Sequence, residues 1–352
     1  MNFASDNSAG IAPPILEAII KSSQGFALAY GRDDATARLG QLVSALFERD
    51  VAVYLVPTGT AANALALAHL SPPWGAVLCH AESHIVIDEC GAPEFFGGGL
   101  KLIELAGEGG KIAVATLEER LARGPWGGPH HVTAAVLSLT QATEAGTIYR
   151  VDDIRALADV GHQHGLAVHM DGARFANALV RMNASPADVT WKAGVDVLSL
   201  GATKAGALAA EAVIFFDPAR AQHMHERRKR GGHLVSKHRF LAAQFAAFLA
   251  DGLWLDLARH ANSMADRLAA DLTALGLVPV WPVEANEVFV RLPRQTDARL
   301  RAAGAAYYEW GTQSLPAGTA VTADAVLVRL VTSFATTEAD IARFVTVARA
   351  RE

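Results

Sequence analysis

Three residues able to do chemistry stand at the ends of two short apolar runs. Leu166-Ala167-Val168-His169-Met170 ends in Asp171-Gly172-Ala173-Arg174, and Val197-Leu198-Ser199-Leu200-Gly201 ends in Ala202-Thr203-Lys204. A lysine amine can form a Schiff base with an aldehyde, and a carboxylate can keep a pyridine nitrogen protonated. An arginine fork can hold an α-carboxylate through paired hydrogen bonds. Each residue alone has a plainer reading as an ion pair at a strand end. Together, in this order, they suit pyridoxal phosphate acting on an amino acid.

The elements that must position them follow from the same pattern. Val- and Leu-rich runs about 20 residues apart read as neighbouring parallel strands joined by a crossover helix. Ligands of such sheets lie beyond the carboxyl ends of the strands, so the acid, the arginine and the lysine converge. Upstream, the strand Ala52-Val53-Tyr54-Leu55-Val56 runs into Pro57-Thr58-Gly59-Thr60-Ala61-Ala62-Asn63 and an Ala/Leu helix. Strand, glycine turn and helix start make an anion cradle of free N–H groups, with Thr60 placed to cap the helix and touch a phosphate. An ordinary N-cap is the alternative. No Walker lysine or three-glycine fingerprint is present, which favours a monophosphate over a nucleotide.

Other candidates line up behind this frame. His84, after the strand Val77–His80, can stack on a pyridine ring. His130 is either a loop histidine or an acid/base group. Tyr30 is an anchoring aromatic or a lid. Glu211–Phe216 is continuously apolar after its first residue, a pattern of strands buried on both faces of a parallel sheet. Arg329, alone in the apolar run Ala325–Val331, is paired for structure or aimed at an anion. The polar start Ser5-Asp6-Asn7 is either poorly ordered or folded back over a pocket.

The whole chain bounds the rest. Its 352 residues, 51% hydrophobic, suffice for two domains. A formal charge of -5 and the lack of finger-like Cys and His spacing argue against nucleic acid. The basic cluster Arg227-Arg228-Lys229-Arg230 reads as a solvated helix face or a phosphate contact. Two cysteines, Cys79 and Cys90, build no disulfide scaffold. No basic-then-apolar leader opens the chain, and Phe240–Leu255 is too mixed for a membrane span, so a cytoplasmic protein without a membrane partner is expected.

At this point the sequence resembles the low-specificity L-threonine aldolases, pyridoxal-phosphate enzymes of the aspartate-aminotransferase fold type. The resemblance runs from Phe3-Ala4-Ser5-Asp6-Asn7 to the closing helix. It is carried by Gly59-Thr60-Ala61-Ala62-Asn63, Asp88-Glu89-Cys90-Gly91-Ala92-Pro93-Glu94, His169-Met170-Asp171-Gly172-Ala173-Arg174-Phe175 and Thr190-Trp191-Lys192-Ala193-Gly194. Within the family the sequence resembles the branch that includes bacterial aldolases also acting on phenylserine. The resemblance departs at Ala209-Ala210-Glu211, where many relatives carry a glycine, and at Gly231-Gly232-His233-Leu234.

The resemblance implies an α/β fold: an arm over 1–14, a large cofactor domain with a mostly parallel sheet over 15–250, and a small α+β domain over 251–352. It implies that Lys204 forms the Schiff base, Asp171 pairs with the pyridine nitrogen and His84 stacks on the ring. Gly59, Thr60 and Ala61, with Thr203, hold the cofactor. Ser5, Arg174 and Arg329 hold the substrate carboxylate, and His130 stands near the substrate hydroxyl. Tyr30 and Lys229 come from the neighbouring subunit of a homotetramer whose site is shared, a dimer being the minimum. No metal is implied. The reaction implied is retro-aldol cleavage to glycine and an aldehyde. β-Elimination or racemisation on the same cofactor is the alternative, because fold alone does not choose the reaction.

Overall fold

The Val/Leu-rich runs become strands of one sheet because helices return the chain across its faces after most of them. The strands are β1 (Ala52–Val56), β2 (Gly75–His80), β3 (Lys101–Leu105), β4 (Thr133–Thr140), β5 (Ala167–Gly172), β6 (Val197–Gly201) and β7 (Glu211–Phe215). The computed structural model describes residues 1–312, 315–316 and 318–350. Their spatial order is β1-β7-β6-β5-β4-β2-β3. Every neighbour pair is parallel except those made by β7, which runs antiparallel to both β1 and β6. The expectation for β7 was therefore half right. It is buried on both faces, but it is reversed. The link from Gly201 to Glu211 is shorter than the dozen or so residues a parallel crossover needs, so the chain turns back as a hairpin-like return.

The helix Gly59–Leu70 lies deepest. Its residues Ala61–Ala68 are all buried, and Asn63 is the one polar residue among them. Small side chains let this helix sit close to the sheet. On the other face, Leu137, Leu139, Met170, Leu198 and Ile214 pack with Phe245, Phe248 and Trp254.

A second sheet, ordered β8-β10-β9, is antiparallel and consists of β8 (Glu287–Pro293), β9 (Tyr308–Glu309) and β10 (Ala325–Val331). The helices Leu253–Thr273, Arg294–Ala302 and Glu338–Arg349 surround it. The stretch Arg239–Thr273 is apolar and long enough by composition to cross a membrane. It is broken, however, at Asp251 (φ 52°) and Gly252 (φ 75°), and it buries Phe245, Phe248 and Trp254 in the protein core.

The start of the chain belongs to this second core. Phe3 is fully buried against Phe344, ring centroids 5.2 Å apart. Its N–H donates to the Ala306 carbonyl and its carbonyl accepts from Val331 N–H, each at 2.8 Å. The arm is thus anchored two residues before Ser5. Phe3→Ala should lower stability by about 3–5 kcal/mol, the usual loss for an emptied aromatic site, whereas Phe3→Leu should cost less. Urea unfolding of the two variants checks the ranking.

Candidate active site

The carboxyl ends of β1, β2, β5 and β6 bring Gly59, His84, Asp171 and Lys204 to one cleft with a cavity of about 170 Å³. Ser5, Arg174 and Arg329 line the same cleft. Gly59, His84, Asp171, Arg174 and Lys204 meet there because parallel strands present their carboxyl ends on one side, while Ser5 reaches it from the arm and Arg329 from the second sheet. A larger cavity, about 820 Å³, opens between Phe96 and Arg227 and contains none of them.

Asp171 is buried, with Oδ1 accepting from Ala173 N–H at 3.0 Å and Oδ2 accepting from Asn63 Nδ2 at 2.8 Å. Asn63 Nδ2 also donates to Glu89 Oε1 at 2.9 Å. The same Glu89 oxygen lies 2.9 Å from His84 Nδ1. His84 N–H donates to Glu144 Oε1 at 2.7 Å. Burial lowers the proton affinity of His84, but the Glu89 hydrogen bond and the Asp171 charge outweigh it and leave the imidazole pKa raised above 6.5. Burial raises the Glu89 carboxyl pKa and pushes Glu144 up to about 7, with the Asp171 charge adding to the second. Glu211, at the start of β7, is likewise pushed up to about 7 by burial, and the reversal of that strand is what puts it on this edge.

The glycine turn is built differently from the expectation. Thr58, not Thr60, caps the helix, its Oγ1 accepting from Ala61 N–H at 3.1 Å. Ala61 therefore has no amide to offer a phosphate. Gly59 and Thr60 open the helix with the first unpaired N–H groups, and a Cβ built on Gly59 would meet nothing within 4 Å. That open space beside two donors and a positive helix end fits a phosphate group.

Behind Arg174 lies a buried charge cluster. The guanidinium donates through Nε and Nη2 to the two Asp6 oxygens at 2.8 and 3.1 Å, and Nη1 lies 3.3 Å from Glu287 Oε1. Asn286 adds a hydrogen bond to Asp6 at 3.1 Å. Burial alone would raise the Asp6 pKa, but Arg174, Lys204 and the hydrogen bonds reverse it, and the carboxyl is held below its usual range. The reciprocal effect raises Arg174 against its own desolvation. Glu287 and Arg329 behave oppositely. They are 3.8 Å apart with no hydrogen bond between them, so burial wins at both: the acid is raised and the arginine lowered. Arg329 stacks on Trp310 at 4.4 Å, and its Nε has no hydrogen-bond partner among the described residues. Of the two arginines assigned to a substrate carboxylate, Arg174 is already engaged, whereas Arg329 has an unpartnered Nε among the described residues.

Other assigned residues are not brought into this cleft within one chain. His130 is exposed in the loop before β4, at the amino end of that strand and so on the opposite edge of the sheet. Tyr30 is exposed at φ 60°, with Lys229 Nζ 4.5 Å above its ring. Thr203 Oγ1 accepts from Ala210 N–H at 3.2 Å and so braces the loop that carries Lys204. Asp6 belongs to the polar start, which folds back over the pocket, and Glu144 to a polar strand exit, but neither these nor Asn63, Glu89, Glu211 and Glu287 were assigned an individual role from sequence. Each interrupts or borders an apolar or tightly spaced segment, a signal for a buried polar group but not for its partner.

The cleft suits pyridoxal phosphate on its own chemistry. Among the described residues, the buried oxygens Asn63 Oδ1, Glu89 Oε2 and Glu144 Oε2 have no partner, as expected where donors come from a bound molecule. Asp171 is placed for a ring N–H, Lys204 for an aldehyde and Gly59 for a phosphate. Because the folded Asp6 pKa lies below 3.8, its stabilisation is present above that value and lost as pH falls through the lowered one. Asp6→Asn should cost near the lower end of about 3–5 kcal/mol at neutral pH, since Glu287 still faces Arg174, and the deficit should shrink in acid. Urea unfolding at the two pH values checks it.

Comparison with known proteins agrees with this chemistry. The profile of the β-eliminating lyase family matches residues 2–295. The low-specificity L-threonine aldolase of Pseudomonas aeruginosa is 44% identical over 308 residues, covering 87% of this chain and 88% of the relative. That of a second Pseudomonas species is 42% identical with the same coverage. The threonine aldolase of Leishmania major superposes with a TM-score of 0.91 at 30% identity, over 99% of this chain and 98% of that one. The chain belongs to the pyridoxal-phosphate-dependent β-eliminating lyase family, among the low-specificity L-threonine aldolases.

Proposed function

We propose that the protein cleaves the Cα–Cβ bond of L-threonine, L-allo-threonine and related L-β-hydroxy-α-amino acids, L-phenylserine included, to glycine and an aldehyde. The observation that carries this reading is the shared cleft of Lys204, Asp171, His84 and Arg329. When bound at Lys204, pyridoxal phosphate supplies an electron sink conjugated to the substrate Cα. Asp171 keeps the ring nitrogen protonated. Arg329 receives the carboxylate, with the Ser5 hydroxyl and the Arg174 charge beside it. By fixing the carboxylate, Arg329, Ser5 and Arg174 would decide which bond at Cα is oriented for cleavage. His84 removes the β-hydroxyl proton as the aldehyde leaves.

The proposed assembly is a homotetramer whose dimers share sites. Tyr30 and Lys229 face outward together, near the fully exposed Phe26 and the exposed Leu28, as residues that complete a neighbour's site would. Sedimentation of Phe26→Ser should show dissociation together with loss of activity. A cytoplasmic location is proposed as well, in keeping with two unpaired thiols, Cys79 and Cys90. Cell fractionation tests it.

Aldehyde release from the L- and D-forms of threonine, allo-threonine and phenylserine tests the reaction. Glycine should match aldehyde mole for mole from L-substrates only, and Lys204→Ala should produce neither. An α-keto acid with ammonia would mean β-elimination instead. His84→Asn should lower kcat by about 10²–10⁴-fold. As a base His84 must be neutral, so the parent's kcat/KM should fall as pH drops through a pKa above 6.5, and the variant should lose that limb.

A further inference from the structure

Asn63 lies buried in the Ala/Leu helix, and both hydrogens of its amide are spent on carboxylates, Glu89 at 2.9 Å and Asp171 at 2.8 Å. An oxygen in that position would face two acceptors, so the orientation of the amide is fixed by its neighbours. Glu89 Oε1, with its side chain fully buried, meets two groups at once: Asn63 Nδ2 and His84 Nδ1. An ionised Glu89 therefore puts the His84 proton on Nδ1 and leaves Nε2, which no other described residue engages, as the acceptor. No hydrogen bond joins His84 to Asp171 directly. One amide and one carboxylate connect them.

We propose that Asn63 and Glu89 are positioning residues that fix the tautomer of His84 and the orientation of the Asp171 carboxylate as one unit. The inference rests on the roles given to His84 and Asp171 in the aldolase reading, and it extends them inward. The charged groups facing His84 are Glu89 on its own segment, Glu144 after β4, Asp171 on β5 and Lys204 after β6. Glu144 bonds the His84 backbone and not its ring, so the ring proton answers chiefly to Glu89. Removing the Asn63 donor concentrates charge on Glu89, which then binds the His84 proton more tightly. Removing the Glu89 charge does the reverse. The two substitutions thus carry opposite signs at the same histidine, and only one of the two residues touches it.

The test uses ¹⁵N-histidine-labelled holoenzyme and the cofactor-free chain, with the His84 signal identified by its loss in His84→Gln. Glu89→Gln should lower the His84 pKa by about one unit or more. Asn63→Ala should raise it and, in the same samples, shift the pH titration of the bound cofactor's absorption. Circular dichroism monitors folding. If Asn63→Ala does not fold, the isosteric Glu89→Gln decides alone: its His84 pKa must fall and its Nδ1 tautomer must weaken. An unchanged His84 titration in the folded variants, or a parent His84 protonated mainly on Nε2, overturns the proposal. A parent that takes up no cofactor or yields no glycine overturns the aldolase reading instead, while the histidine data on the cofactor-free chain still judge the network.

Discussion

The burial of Arg174 between Asp6 and Glu287 is the constraint that ties this molecule together. Its four charges, counting Arg329, come from the N-terminal arm, the exit of β5, and strands β8 and β10. Buried ions repay their desolvation only with good geometry and further hydrogen bonds. Asp6 and Arg174 have that geometry. Glu287 and Arg329 do not, and their shifted proton affinities record the difference. The cluster therefore fixes the arm and joins the two sheets, and it leaves one arginine short of partners among the described residues that line the cleft. Stability and receptivity to an anion are divided between two residues of the same type.

The acids around the cleft show a second division. Glu89, Glu144, Glu211 and Glu287 are all buried with raised proton affinity, and each lies near Asp171, Lys204 or Arg174. A core optimised for stability alone would not leave Glu89 Oε2, Glu144 Oε2 and the Glu287 carboxylate without a hydrogen bond among the described residues. Sites that must receive a polar molecule carry such costs, and the surrounding packing offsets them. Here that packing is the small-residue helix Gly59–Leu70 on one face and the Phe245, Phe248 and Trp254 cluster on the other.

The reversal of β7 has a chemical consequence. Were β7 parallel, Glu211 would start at the edge remote from Lys204. Running antiparallel, it places that carboxylate beside Gly201, where a Cβ on the glycine would lie 3.1 Å from Glu211 Oε2. The lysine loop is thus closed from below by Thr203 and Glu211. A short link between strands is the whole cause.

The amino-acid sequence by itself determined the strands, because Val/Leu runs ended by glycine and polar clusters are local signals. It also pointed to Lys204, Asp171, His84 and Gly59, which sit at strand exits where period and punctuation can be read directly and which the structure brings to one cleft. Arg329 was legible as an anomaly in an apolar strand, though not the anion it would meet. Tertiary structure alone decided the partners. Asp6 reaches Arg174 across 168 positions and Asn63 reaches Asp171 across 108. No periodicity encodes such pairs, because they depend on how helices and sheets stack. The same reason separates Thr58 from Thr60 as the cap, a matter of one residue's backbone angles, and puts His130 on the far edge of the sheet. Direction along a strand decides which end a residue occupies, and only the assembled sheet shows which end is the site.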